Sequence, residues 1–286
     1  MHDPMNLNLI SSVFPEPILS TQVYHGDDFT IVEVNQKWMF RFPRSQDARS
    51  ILEIEKQFLA EFAPLSPVPV PLYQYIGEGF VGYRKIEGLL LSPVRYKELS
   101  EESQKKVVEQ ISAFLSTLHS FPVERARQMG MTEGWNGWRK QAFQIFKSEI
   151  APRLSQKALR NANSCFDAFF SSVYTTVVIH GDFYPRDHLF LDPQSEELSG
   201  IIDFGDLTLD DPASDLKNIL SDFGEEMLRN VLATYSGPSD QRFIDRMRLA
   251  IKVEPLFDAA YDVQFGYPGR LTLFFNFENE PSRVKN

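Results

Sequence analysis

The chain has 286 residues, 43% of them hydrophobic and 24% charged, with a formal charge of -10 and a single cysteine, Cys165. That describes an ordinary globular protein, large enough for one domain or for two lobes sharing a cleft; the acidic balance argues against nucleic acid as a partner and favours a cationic small molecule. One cysteine permits no intrachain disulfide. No apolar run reaches the ~18–20 residues of a membrane span, and the start, MHDPMNLNLI, lacks a signal peptide's basic and apolar parts, so a cytoplasmic protein without a membrane partner is expected.

In chain order, Val23 and Tyr24 lead into the turn His25-Gly26-Asp27-Asp28. Thr30 to Val34 and Lys37 to Phe42 then read as a hairpin turning at Asn35-Gln36, with Pro43 ending it. Apolar residues at 51, 52, 54, 58, 59 and 62 predict a helix from Ala48 to Phe62. The proline-spaced segment 64–71 must be extended. Strands around Leu72 to Ile76 and Phe80 to Ile86 complete a small β-rich lobe, residues 1–87. Beyond Gly88 the pattern turns helical: an amphipathic helix from Glu101 to His119, then helices over Trp138 to Ile150 and Ala158 to Tyr174. The short buried strand Val177 to Ile179 follows, and then a hairpin of Leu189 to Leu191 with Ile201-Ile202 across the turn Asp192 to Ser199. Residues 88–286 form the larger, mainly helical lobe, which makes the fold class α+β.

Two segments carry the chemistry, His180-Gly181-Asp182 and Ile202-Asp203-Phe204-Gly205-Asp206. Each puts a carboxylate at the end of an apolar strand, where a rigid scaffold can aim it into a cleft. Gly and Asp are common turn formers, so either segment alone reads as a turn. Together, in this order, they suit phosphoryl transfer, in which one carboxylate orients or deprotonates a hydroxyl and another holds magnesium on the phosphates.

On these motifs the sequence resembles the aminoglycoside phosphotransferase and choline kinase-like family, from about Tyr24 to Leu220. The resemblance implies a two-lobed, protein-kinase-like fold, with Mg2+ as cofactor and ATP or GTP as phosphoryl donor. It implies Asp182 as catalytic base and Asp203 as main metal ligand, with His180 fixing the loop. The family's usual Asn, five residues after the catalytic Asp, is replaced here by Asp187; Asp187 is the preferred second metal ligand and His188 the alternative. Asp215, in Asp211-Pro212-Ala213-Ser214-Asp215, is expected to cap the helix it begins and to anchor the catalytic loop. Arg41, with Glu55 as its ion-pair partner, corresponds to the cation held against the nucleotide phosphates. Gly26 lies in the turn that covers the phosphates, and backbone groups from Arg84 through Ile86 to Glu87 receive the purine.

The acceptor site is expected in the C-terminal part. Glu254, Asp258 and Asp262 recur every four residues, either lining a cleft for a polyamine sugar or forming a solvated stripe. Trp135, Trp138 and Tyr261 are candidates for stacking on a sugar ring, with core packing as their ordinary role. The expected activity is phosphorylation of a hydroxyl on an aminoglycoside or similar cationic acceptor. The alternatives are a housekeeping kinase for a neutral sugar or amino alcohol, and a silent nucleotide-binding protein.

Overall fold

An antiparallel sheet forms the N-terminal region of the computed structural model, which describes residues 4–266, the side chains of residues 4–5 and 134–137 excepted. Helix α1 (Pro4–Val13) precedes strands β1 (Thr21–His25), β2 (Phe29–Val34) and β3 (Trp38–Pro43); helix α2 (Gln46–Phe62) leads to β4 (Tyr73–Gly77) and β5 (Phe80–Arg84). The strand order is β1-β2-β3-β5-β4. The β2–β3 turn has Asn35 and Gln36 both left-handed, at φ 53° and 58°, which matches the right-handed twist of the strands it joins.

Alternation along the strands sorts this sheet into two faces. Val32, Val34, Phe40, Phe42 and Phe80 pack beneath Ile10 and Phe14 at the end of α1, an element absent from the sequence reading. The opposite face, with Phe29 and Val81, meets Ala48 and Leu52 of α2, and Arg41 and Glu55 belong to that side. Ser45 caps α2 by accepting from the Ala48 amide at 3.0 Å, which fixes where the helix starts.

The chain then runs through β6 (Leu89–Leu90), α3 (Pro93–Glu98), α4 (Glu101–His119), α5 (Val123–Gln128), α6 (Gly134–Ile145) and α7 (Gln156–Phe170). Next come β7 (Val177–Ile179), the single-turn α8 (Pro185–His188), β8 (Leu189–Leu191), β9 (Leu198–Ile201), β10 (Thr208–Asp210), α9 (Ala213–Thr234) and α10 (Phe243–Phe265). β7 pairs with β10, and β8 lies between β6 and β9. A β-sheet N-terminal region and a helical C-terminal region make the fold α+β.

Some boundaries differ from expectation. The helix predicted over Trp138 to Ile150 starts at Gly134 and widens to π geometry from Phe146 to Ile150. The helix predicted to reach Tyr174 stops at Phe170, and Tyr174 instead donates its hydroxyl to Asp210 Oδ1 at 2.8 Å. β9 begins at Leu198, inside the predicted turn, because Leu198 is buried and pairs with Leu191.

The largest core cluster joins Phe58 and Phe62 of α2 to Phe114 and Leu115 of α4, Phe183, Phe204, and Leu216 of α9. A separate cluster holds Ala142, Phe146, Phe166, Leu256 and Ala260, from α6, α7, α10 and the π turn; Cys165 packs against it, partly buried. Among the described residues no helix is long and apolar enough to cross a membrane.

Candidate active site

The loop after β7 is held from behind. The backbone amides of His180 and Gly181 donate to Asp215 Oδ2 and Oδ1 at 2.8 and 3.0 Å, and His119 Nε2 donates to the same carboxylate at 3.1 Å. Tyr235 in turn donates to His119 Nδ1 at 2.6 Å. Asp215 thus anchors the loop, but it does not cap its own helix. As the third residue of α9 it lies past the capping position, and Asp211 Oδ1 accepts from the Ala213 amide at 3.0 Å instead. Gly181 has φ +86°, and a Cβ there would come within 2.1 Å of the Asp206 carbonyl, so only glycine fits. His180 is fully buried and donates through Nε2 to the Ile202 carbonyl at 3.1 Å. Burial pushes its imidazole down to about 4, against the opposing pull of Asp215, which keeps the ring neutral.

Asp182 and Asp203 face each other across a short gap. Asp203 follows β9 with φ 69° and ψ 69°, a left-handed conformation unusual for a residue other than glycine and typical of sites where the fold over-determines the backbone. Its Oδ1 is 3.8 Å from Arg41. Arg41 is buried against Glu55 at 2.5 Å, lies 4.2 Å from the Phe29 ring, and donates to the Tyr73 hydroxyl at 3.3 Å. Burial opposes the Arg41 charge, but Glu55, Tyr73, Tyr83 and Asp203 together outweigh it, leaving the guanidinium more firmly protonated than usual. Burial raises the Asp182 carboxyl, with His188 pulling it down, Asp203 pushing it up and Lys217 pulling it down.

His188 fills the space between the two carboxylates. Its Nε2 lies 3.7 Å from Asp182 Oδ2 and 3.8 Å from Asp203 Oδ2. Its Nδ1 donates to the Asp182 carbonyl at 2.7 Å, so in the neutral ring Nε2 carries the lone pair. An imidazole nitrogen and two carboxylates converging on one gap form a donor set for a cation. The described residues contain no preformed cluster of three or more metal-ligating side chains. A hard ion that takes one or two protein ligands and completes its shell with phosphate oxygens and water fits such a donor set; a resident metal in a closed cage does not. Asp206 opens on the same gap. Enclosure by the protein, then Asp182, Asp203 and Asp28, push its carboxyl up to about 7.

The other predicted residues are less concentrated. Asp187 lines the cleft beside Asp182 and His188 but is not between the two carboxylates; its side chain is 55% exposed and paired with Arg186 at 3.3 Å. Gly26 sits in the β1–β2 turn, where its amide donates to the Phe29 carbonyl, and neighbouring Asp27 lines the cleft. Arg84 ends β5 with an exposed side chain, and Ile86 packs on Gly200. The Glu87 carbonyl accepts from the Ser199 hydroxyl at 2.6 Å.

In front of Asp182 opens a cavity of about 980 Å³ whose walls include Glu254, Asp258, Trp138, Phe257 and Tyr261. Trp138 and Tyr261 meet edge to face, 5.7 Å between ring centres. Trp135 lies outside the described side chains. Asp262 departs from the expected carboxylate stripe and is buried away from the cavity wall. Residues four apart on a helix drift by about 40° per step, so the third member of such a series has turned about 80° from the first.

Residues 21–248 match the model of the phosphotransferase enzyme family, APH. The chain belongs to that family. A viomycin phosphotransferase of Streptomyces vinaceus is 25% identical over 238 residues, spanning 79% of this chain and 82% of the relative. The solved GDP and kanamycin complex of APH(2")-IIia superposes with a TM-score of 0.84 at 27% identity, with 96% of each chain covered. A macrolide 2'-phosphotransferase from Brachybacterium faecium shares the fold, with a TM-score of 0.74 at 18% identity over 97% of this chain and 99% of that one. The chain is accordingly a phosphotransferase that acts on hydroxyl groups.

Within this phosphotransferase the sequence reading overlooked three side chains at the cleft. Asp206 stood in a recognised motif with no role given to it. Tyr184 lies two residues past Asp182 and donates to Glu254 Oε1 at 2.9 Å. Lys217 lies two residues past Asp215 and donates to the same oxygen. Spacing from Asp182 and Asp215 was a usable signal for both, but the direction of the side chains was not.

Proposed function

We propose that the protein is a magnesium-dependent small-molecule kinase that transfers the γ-phosphoryl group of GTP or ATP to a hydroxyl of a ring-bearing, positively charged acceptor such as an aminoglycoside. The observation that carries this reading is the convergence of Asp182, His188 and Asp203 at the floor of a large cavity walled by carboxylates and aromatic rings. GTP is the donor placed first, because the solved relatives at 27% and 26% identity were captured with GDP. We assign nucleotide binding to residues 1–87, with the purine against the backbone of Arg84 to Ile86 and the phosphates beneath the Gly26 turn, and acceptor binding to residues 88–286.

In this mechanism the acceptor hydroxyl lies against Asp182, which orients it and takes its proton as the oxygen attacks phosphorus in line. The upward push of burial on Asp182 suits a proton acceptor. Arg41, held straight by Glu55, places positive charge beside Asp203 and the phosphates. Asp203 and His188 would hold the metal, with Asp187 on the rim; magnesium there would supply positive charge against the phosphates. Trp138 and Tyr261 offer ring faces and edges, Glu254 offers an acceptor for a hydroxyl group, and Asp258 offers one for an amine.

The test is release of nucleoside diphosphate with magnesium, run with GTP and ATP separately against aminoglycosides, amino alcohols and sugars. Acceptor-dependent release that falls ~10²–10⁴-fold in Asp182→Ala, with nucleotide binding retained, is the expected result. Asp203→Ala should weaken metal-nucleotide binding as well. Tight nucleotide binding with no acceptor-dependent release would favour the silent binding protein, and no nucleotide binding at all would overturn the kinase.

A further inference from the structure

The cavity that faces Asp182 is acidic, yet the cations in its wall are already paired with carboxylates. Arg139 is bonded to Asp210, and Arg186 lies 3.3 Å from Asp187 and 3.5 Å from Asp222. Lys217 is the one that matters for the acceptor. It projects from α9, 13% exposed, and its ammonium donates to Glu254 Oε1 and to Asn218 Oδ1 at 3.1 Å. It also lies 5.3 Å from the centre of the Tyr184 ring. Tyr184 donates to that same Glu254 oxygen, and its amide donates to the Asp182 carbonyl at 2.9 Å. Glu254 is therefore linked through one residue to the catalytic loop, and the place an acceptor ammonium would take beside it is held by the protein's own.

Resting on the kinase reading above, we propose that Lys217 is a specificity-determining residue, a built-in ammonium that holds the Glu254 subsite so that the acceptor presents an uncharged, hydrogen-bonding group there. An ammonium entering the subsite must compete for Glu254 Oε1 and sit beside a like charge, a juxtaposition that disfavours the wrong partner. A hydroxyl or amide meets no such opposition and finds both a donor and an acceptor. Positive charge on the acceptor is then accommodated farther along α10, toward Asp258.

The proposal is tested by calorimetric titration with kanamycin as a polycationic probe, on protein with and without magnesium-GDP. Lys217→Met and Lys217→Gln should each bind kanamycin about three- to tenfold more tightly than the unaltered protein, since each removes one competing charge. Lys217→Arg should bind as the unaltered protein does. Placed in a Glu254→Gln background, Lys217→Met should bring no gain, a dependence that a purely structural lysine would not show. Either neutral variant suffices if the other fails to fold, as judged by its thermal midpoint. No tighter binding in the neutral variants, including no kanamycin binding by any of the proteins, overturns the proposal, as does a gain that survives Glu254→Gln. Failure of the kinase reading appears separately, as a thermal midpoint that magnesium-GDP does not raise in the unaltered protein.

Discussion

A guanidinium and a carboxylate in a single buried contact respond differently to losing one partner and to losing both. Arg41 and Glu55 have side chains only 6% and 0% exposed, so Glu55→Gln leaves a buried cation without its counter-charge. The expected loss is about 3–5 kcal/mol in urea unfolding, whereas Arg41→Met combined with Glu55→Leu should recover much of it. The double variant should still fail to bind nucleotide, because the charge beside Asp203 is gone. A second prediction concerns adjacent residues. His188→Ala should weaken magnesium-dependent nucleotide binding at least tenfold in a titration against magnesium, and Asp187→Ala should change it by less than about threefold, in keeping with an exposed surface pair. That Asp182 and Asp203 would meet at one gap was legible in the sequence, because an apolar strand ending in Asp is a local pattern. That His188 lies between them was not. Asp187 and His188 lie in the single turn of α8, where consecutive side chains point about 100° apart, so the packing of that turn, not the local pattern, sets which one lies between the carboxylates.

Among the elements, the loop between β7 and α8 shows how a buried group couples folding to pH. His180 sits neutral in the core, with its imidazole at about 4 in the fold and ~6.5 in the unfolded chain. The folded value is the lower one, so the unfolded state binds the extra proton. Its contribution is fully present above about 6.5 and is lost as the pH falls toward 4. Asp206, pushed up to about 7, works in the opposite sense over much of that range, so the test must be a difference. Urea unfolding of the unaltered protein and of His180→Gln, compared at pH 7 and pH 4.5, should show the gap between them shrink by roughly 1–3 kcal/mol at the lower pH. A constant gap would show that His180 does not charge on unfolding in this range. Helices with a full amphipathic stripe, α2 and α4, were legible nearly to the residue. Helix α1 was not, because its ten residues carry no charged face against which an apolar stripe would stand out. The carboxylate stripe on α10 was legible only for its first two members, since helical drift carries Asp262 into the core.

Across the whole molecule, hydrophobic clusters divide the chain differently from a cut at residue 87. The sheet cluster beneath α1 belongs to the N-terminal region alone. The main cluster crosses that cut, because Phe58 and Phe62 of α2 pack with Phe114 and Phe204. The main core therefore takes side chains from both sides of residue 87. A second cluster lies elsewhere: α6, α7 and the C-terminal part of α10 close around Phe166, while Phe243 and Met247 at the start of α10 belong to the main core, and this second cluster carries the cavity wall of Trp138, Glu254 and Phe257. Phe166 is fully buried, with the rings of Phe143, Phe146 and Phe257 within 5.5 Å. Phe166→Ala should cost about 3–5 kcal/mol, but within this cluster rather than across the molecule. Hydrogen exchange should then accelerate in α7 and α10 while α4 and the sheet stay protected. The KM for the acceptor should rise several-fold with nucleotide affinity unchanged. Equal acceleration in α4 would mean that the helical wall and the main core unfold as one, and that acceptor selectivity cannot evolve by loosening that wall without cost to the nucleotide site.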